Sequence, residues 1–395
     1  MKKILLATTM LASVAGYAAA DVSVSGDARM GLVNAYIKDN AKNGTVFSSR
    51  VRIKFSGSGT TDGGISFGGS FRAADSQGAN EGVKGSTFIS GAFGKISMGD
   101  VDSGDKASVG QLASVGYTGL GSTNEINYAA DGFDLFGMPA AVSKSAPKTS
   151  TLTSSTGTFD SLATTVHPGA AAKVLYSYSA GSLTVNASAG QISNGVSDKD
   201  SFGVGATYTV GSLTVAAGYG SNEFDFTSTV LRTPYANNGG VLTISDNPAK
   251  LTYAVEGSVT DATLGATYVM GATTLKAIYQ DKEVSGTIDS EDVSATATSM
   301  GLSVSHKIDV LTLTAFAVTT DLTSNVTSLA QDESISFSRT GIGAAYDLGG
   351  GATITAGVVN VEAPSMTAGI SSGYPTAVLG TSSHTAYDLG VNFSF

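Results

Sequence analysis

From Asp21 to Phe395 the chain repeats one pattern, short stretches rich in Val, Thr, Ile, Phe and Tyr in which apolar and polar residues alternate. A period of two sends successive side chains to opposite faces of a strand, so each stretch reads as a β-strand with one greasy and one polar face. Val51, Ile53 and Phe55 alternate with Arg50, Arg52 and Lys54, and Ile65, Phe67 and Phe71 with Ser66, Gly68, Ser70 and Arg72. The last stretch sets Tyr387, Leu389, Val391, Phe393 and Phe395 against small or polar residues. Two architectures accept such strands: a sheet packed on a core with its other face in water, or a membrane barrel with lipid outside and water inside.

An internal repeat favours the barrel. Tyr178, Tyr208, Tyr268 and Tyr346 each stand three residues before a turn glycine, at Gly181, Gly211, Gly271 and Gly349, with a Thr-containing strand after it. A turn glycine needs only backbone freedom; an aromatic at fixed distance from it is what an interfacial girdle at one barrel rim requires. Seven tight turns are legible, at 62–63, 93–94, 181, 211, 271, 308–309 and 349–351. Eight longer connections lie between them, at 37–45, 75–82, 102–169, 194–199, 225–249, 285–293, 323–334 and 363–382. Fifteen connections join sixteen strands. The expectation is an all-β fold: a 16-stranded antiparallel transmembrane β-barrel with short periplasmic turns, long outer loops and an aqueous lumen.

The composition closes other routes. No run approaches the ~20 apolar residues of a spanning helix except residues 4–20, where Lys2 and Lys3 precede an apolar stretch and Ala18, Ala19 and Ala20 offer a small-residue cleavage site. Residues 1–20 read as a signal peptide and 21–395 as a single barrel domain. The absence of Cys removes disulfide frameworks and thiolate chemistry, and the formal charge of −10 argues against nucleic acid as a partner. His167, His306 and His384 have no Ser or acid at triad-like spacing, so the chain reads as no enzyme.

Several strings, in order, resemble the Gram-negative general porins of the Rhodobacter type: Ser25-Gly-Asp-Ala-Arg-Met-Gly31, Phe47-Ser-Ser-Arg-Val-Arg52, Gly57-Ser-Gly-Thr-Thr-Asp-Gly63, Gly91-Ala-Phe-Gly-Lys-Ile-Ser-Met-Gly-Asp100 and Asp388-Leu-Gly-Val-Asn-Phe-Ser-Phe395. The resemblance covers strands and tight turns of nearly the whole chain after residue 20; the stretches 121–169 and 225–249 are longer and richer in Ser and Thr than the family pattern. It implies an outer-membrane channel for passive diffusion of ions and small hydrophilic solutes, a homotrimer set among outer-membrane lipid and lipopolysaccharide, and a third loop folded into the barrel as a constriction.

The segment 102–169 is the longest connection and suits that loop; its acids include Asp102, Asp105, Glu125, Asp131 and Asp134. Alternation puts Arg29, Arg50, Arg52, Lys54 and Arg72 on the non-lipid face of strands one to three. Toward lipid each would cost about 2–4 kcal/mol at the midplane, so they must face the lumen. An acidic loop against a basic wall sets a field across the constriction, and with acids in excess at the mouths the expected selectivity is a modest cation preference. Arginines that merely fill a polar lumen are the plainer reading of the wall. Asp100, Asp102 and Asp105 are weak candidates for a structural Ca²⁺ and lack a full oxygen set; no other cofactor is expected. A secreted β-rich adhesin or surface-layer protein would share the composition but not the terminal aromatic strand, and Phe395 reads as the signal recognised by the outer-membrane assembly machinery.

Overall fold

The structure is a computed structural model and describes residues 21–34, 45–74, 78–79, 85–131, 151–154, 157–160, 173–193, 198–232, 235–238, 241–244, 249–288, 291–326, 331–371 and 374–395. Sixteen strands close into one antiparallel barrel. In chain order they are β1 (Asp21–Asn34), β2 (Val46–Thr60), β3 (Ser66–Ala74), β4 (Ser86–Gly91), β5 (Gly94–Gly99), β6 (Lys173–Ala180), β7 (Leu183–Ser193) and β8 (Asp198–Val210). There follow β9 (Leu213–Arg232), β10 (Ala249–Met270), β11 (Thr273–Ile288), β12 (Glu291–Ile308), β13 (Leu311–Val326), β14 (Gln331–Gly349), β15 (Ala352–Ser371) and β16 (Tyr374–Ser394). Each strand pairs with its neighbours in sequence, and β16 returns to β1 in the register Asp27↔Ser394 to Asn34↔Tyr387. Closure pairs every strand on both sides within the closed wall, the condition a sheet must meet in a bilayer, while the outer ends of hairpins such as β15–β16 beyond Val361 pair within the hairpin. Phe395 seals the seam, its amide donating to the Gly26 carbonyl at 3.0 Å and its carbonyl accepting from the Gly26 amide at 2.6 Å.

The seven turns fall where the sequence places them, with Gly181, Gly211 and Gly271 at φ of 62°, 58° and 58°, a left-handed backbone that favours glycine. The tyrosines before them stand exposed on the outer face, and all four face an aliphatic partner across the ladder: Tyr178 opposite Val185, Tyr208 opposite Leu183, Tyr268 opposite Leu213, Tyr346 opposite Leu311. That ring of aromatic–aliphatic pairs at the short-turn rim is the girdle the repeat encodes.

At the other rim the structure corrects the sequence reading. The stretches 225–249, 285–293, 323–334 and 363–382, read as loops, are for most of their length strand; β15 and β16 stay paired out to Ser371↔Tyr374. Ser and Thr on both faces erase the alternation that marks a strand, yet the ladder below supplies the register and each added rung satisfies its own backbone groups. The wall is therefore uneven: at about 3.4 Å per residue, the six residues of β4 span roughly 20 Å and the 22 of β10 roughly 75 Å. Small separate hairpins pair Thr151–Ser154 with Gly157–Asp160 and Tyr235–Asn238 with Val241–Ile244.

Candidate functional site

The larger cluster of buried apolar residues lies between the wall and one segment, residues 101–131, which leaves β5 and lies inside the lumen; a smaller one, Ala297, Leu322, Ile335 and Phe337, is formed by β12–β14. The lumen segment opens with a short helix, α1 (Gly104–Val109), whose buried face carries Gly104, Asp105, Ser108 and Val109. The chain then follows the wall as a ribbon. The Ala113 amide donates to Ser303 Oγ on β12 at 3.1 Å, and the amides of Tyr117 and Thr118 donate to Asp388 on β16 at 3.2 and 2.8 Å. Thr118 Oγ1 donates to the same carboxylate at 2.6 Å. There it reverses through a run of positive φ angles at Gly119, Leu120, Gly121 and Ser122 and comes back. Arg339 Nη1 on β14 donates to the Glu125 carbonyl at 3.0 Å, Lys282 Nζ on β11 to the Asn127 carbonyl at 2.6 Å, and the Ala129 amide to Asp261 Oδ2 on β10 at 2.8 Å.

The two legs are tied to each other. Gln111 takes the amide of Ile126 at 2.7 Å and donates to its carbonyl at 2.7 Å, Asn124 Nδ2 donates to the Leu112 carbonyl at 2.6 Å, and Tyr128 Oη to the Gly110 carbonyl at 2.6 Å. With its two legs hydrogen-bonded to each other and side chains such as Leu112, Val115 and Ile126 pressed outward on the wall, the ribbon is held as one ordered unit inside the lumen. Its seat is a set of inward glycines. A Cβ at Gly218 would stand 2.9 Å from Asp105 Cα, at Gly357 2.5 Å from the Gly116 amide, and at Gly390 2.8 Å from the Tyr117 ring. These glycines sit in strands, where the residue usually weakens the ladder, and each marks a close approach. Their alternate spacing on β8 (Gly203, Gly205) and β9 (Gly218, Gly220) was the available sequence signal for the seat.

The contacts that seat the ribbon fall on β6–β16 and, at its far end, on Arg29 of β1. Arg29 Nη1 reaches the Tyr117 carbonyl at 3.4 Å and its guanidinium lies 5.8 Å from the Tyr117 ring centroid. The lumen face of β2 and β3 carries none of these contacts among the described residues, and there the register gathers the cations: Arg29↔Arg50, Lys54↔Arg72 and Asp27↔Arg52. Like charges directly opposite one another on a sheet are destabilising. One carboxylate offsets them: Arg52 Nε donates to both oxygens of Asp27 at 2.6 and 2.7 Å, and Arg50 lies 3.5 Å away. Asp27 was missed in the sequence, although its parity with Arg29 places it on the same face.

The loop acids do not form the opposing row that the sequence suggests. Asp105 is fully buried, turned from the lumen toward Gly203, Gly218 and Gly220 of the wall, because the helical turn puts it on the face that seats α1. Burial pushes its carboxyl above the usual carboxylate range. Asp131 is bridged by Lys106 and by Lys173 of β6; burial works against its charge, but the two ammonium groups hold it below the usual range. Asp102 is open to the lumen and pairs with Lys106 at 2.9 Å. Glu125 is half-buried beside Arg339. Asp134 lies outside the described residues, as do residues 1–20. The Ca²⁺ candidates do not converge, since Asp105 is turned into the wall and Asp102 toward Lys106, and the described residues hold no group of three or more potential metal-ligating acids or histidines.

A closed barrel of this strand number with an inward ribbon decides the class, and the comparisons agree. A family model described as Gram-negative porin matches residues 7–366. The chain belongs to the Gram-negative porin family. It is 32% identical over 385 residues to a porin of Rhodobacter capsulatus, covering 95% of this chain and all of that one. A refined porin structure superposes with a TM-score of 0.60 at 29% identity, covering 95% of this chain and 100% of the other. OmpT of Vibrio cholerae, at 15% identity and a TM-score of 0.60 over 97% of this chain, shares the fold. The porin is thus an outer-membrane channel of a Gram-negative bacterium, and nothing in the comparisons supports the adhesin reading.

Proposed function

We propose that this porin works by diffusion alone. Ions and small hydrophilic solutes pass between the lumen ribbon and the bare wall of β2 and β3, with Arg29, Arg50, Arg52, Lys54 and Arg72 along the conducting path and no cofactor or catalytic step. The observation that carries this is the one-sided seating of residues 101–131: hydrogen bonds and glycine approaches fix the ribbon to β6–β16, and the described wall opposite it is left to water. The test is conductance of the purified protein in planar bilayers, with discrete ohmic steps expected. A folded sample that gives none overturns the reading.

The assembled form is proposed to be a homotrimer embedded among lipid and lipopolysaccharide; one OmpT structure of Vibrio cholerae is of a trimer form. Phe395 is proposed as the assembly signal, a reading supported by its 63% exposure on the outer face at the seam. Phe395→Ser is expected to lower the yield of heat-modifiable barrel in outer membranes, and unchanged yield would remove the role. Residues 1–20 are proposed to be cleaved before assembly.

A further inference from the structure

Beneath α1 two buried carboxyl groups face one another across a glycine. Asp105 is 0% and Asp261 1% exposed, and the Cβ that Gly220 lacks would meet Asp105 Oδ2 at 2.4 Å and Asp261 Oδ1 at 2.9 Å. Their surroundings are unequal. Asp261 Oδ2 accepts from the Ala129 amide and from Gln280 Nε2, both at 2.8 Å, and the field of Lys282 acts on the same carboxylate. Asp261 Oδ1 and both oxygens of Asp105 meet no donor in hydrogen-bonding geometry among the described residues, and Ser103 Oγ beside Asp105 is itself unpaired.

Buried polar atoms are paired as a rule, and two carboxylates that share one water-free site do not both stay ionised. The group wanting at this site is one donor, and a carboxyl supplies one only in its un-ionised form. The N–H donors and the nearby cation fall on Asp261, which makes it the acceptor and Asp105 the acid. A metal ion suits the space less well, because the groups that reach Asp261 are N–H donors and not oxygen ligands, and the described residues hold no group of three or more acids or histidines able to take a metal. The neighbouring charges are engaged elsewhere. The described residues of β7–β9 turn glycines and neutral side chains such as Asn186, Ser188 and Asn222 toward α1. On the ribbon, Lys106 pairs with Asp102 and Asp131, Asp131 is held ionised by Lys106 and Lys173, and burial pushes the Tyr128 hydroxyl up and keeps it neutral. On β11, Lys282 and Lys276 donate to the carbonyls of Asn127 and Val109.

We infer that Asp105 and Asp261 hold one proton between them, carried by Asp105 and turned toward Asp261 Oδ1, and that this proton is the latch that seats the base of the ribbon on β8–β10. In acid the latch is fastened; as pH rises the proton leaves, the two carboxylates repel, and α1 lifts from the wall. Lifting exposes Asp105 to water, where it ionises, so the step releases one proton. Its equilibrium therefore rises by up to about tenfold per pH unit between the ordinary carboxylate range and the higher value that burial gives Asp105, and levels off beyond it. The effect on current rests on the channel reading above, whereas the proton itself is measurable without it.

The experiment uses the purified, folded porin. Just above the ordinary carboxylate range, infrared spectra of wild type are expected to show the carbonyl band of an un-ionised carboxyl that Asp105→Asn lacks. Cleavage by protease within 101–131, measured against a free peptide, is expected to quicken with pH at the one-proton slope in wild type, together with larger and noisier conductance steps. In Asp105→Asn, whose amide donates to Asp261 with no proton to lose, cleavage is expected to be slow and independent of pH. Asp261→Asn reverses the pair, its oxygen on Ala129 and Gln280 and its amide toward Asp105; it is expected to remove the band and the slope as well, and serves where Asp105→Asn does not assemble. A wild type without the band, as a metal ion in the site would give, a band that survives both substitutions, or wild-type cleavage that ignores pH overturns the inference while leaving the channel intact. A sample that shows the band and the slope but no conducting step supports the shared proton and overturns the channel reading alone.

Discussion

Two sides of one barrel use charged residues in opposite ways. On the covered wall, Lys276, Lys282 and Arg339 point inward and end on carbonyl oxygens of the ribbon at Val109, Asn127 and Glu125. On the bare wall, Arg50, Lys54 and Arg72 point inward into the lumen, with Arg50 lying 3.5 Å from the Asp27 carboxylate. The residue types and parity are the same. Cations that meet backbone acceptors become fasteners, and cations that meet water become a potential.

The comparison breaks most sharply at a pair of lysines. Lys282→Met removes the charged donor to the Asn127 carbonyl and leaves that acceptor unpaired against the wall, a loss of about 1.5–3 kcal/mol. Lys54→Met, on the exposed wall, is expected to change stability by less than about 0.5 kcal/mol while moving the zero-current potential. Melting of the two purified variants beside their bilayer recordings checks this; equal stability losses would mean that the bare wall is structural as well.

Next comes the glycine seat. Gly357→Leu drives a side chain into the backbone at Gly116, and overpacking of this kind costs about 1–3 kcal/mol. The ribbon should then be cut by protease within 101–131 in the folded variant, with larger and noisier conductance steps. A ribbon still protected from protease would show that the wall yields instead.

The smallest effect concerns pH, and its two acids pull in opposite directions. Asp131, held low by two lysines, contributes stability that is present above the ordinary carboxylate range and is lost as pH falls through its lowered value. Asp105, pushed up by burial, contributes stability that is present below that range and is lost as pH rises through its raised value. Asp105→Asn should therefore raise melting above the ordinary carboxylate range and remove the loss of stability that ionisation of Asp105 brings there, whereas Asp131→Asn should flatten the acid limb. Melting curves across pH for wild type and both variants test the assignment, and an Asp105→Asn variant that melts below wild type above the ordinary carboxylate range would contradict it.

Much of the molecule was legible before any fold was drawn. Alternation gave the strands, the Tyr–Gly spacing gave the rim and its tight turns, and parity alone put Arg29, Arg50, Arg52, Lys54 and Arg72 on one face, because strand periodicity is local. The long outer hairpins were not legible, since their Ser and Thr residues carry no face and take their register from the ladder beneath. The fate of each charge was decided later still. Asp105 and Asp102 lie three residues apart, yet one is sealed against glycines of strands a hundred residues away and the other opens to the lumen. Sequence thus determined which side chains face inward, a property of each strand alone. Only the tertiary structure decided which inward charges meet a partner, because that depends on where a ribbon from between β5 and β6 comes to rest on the other walls.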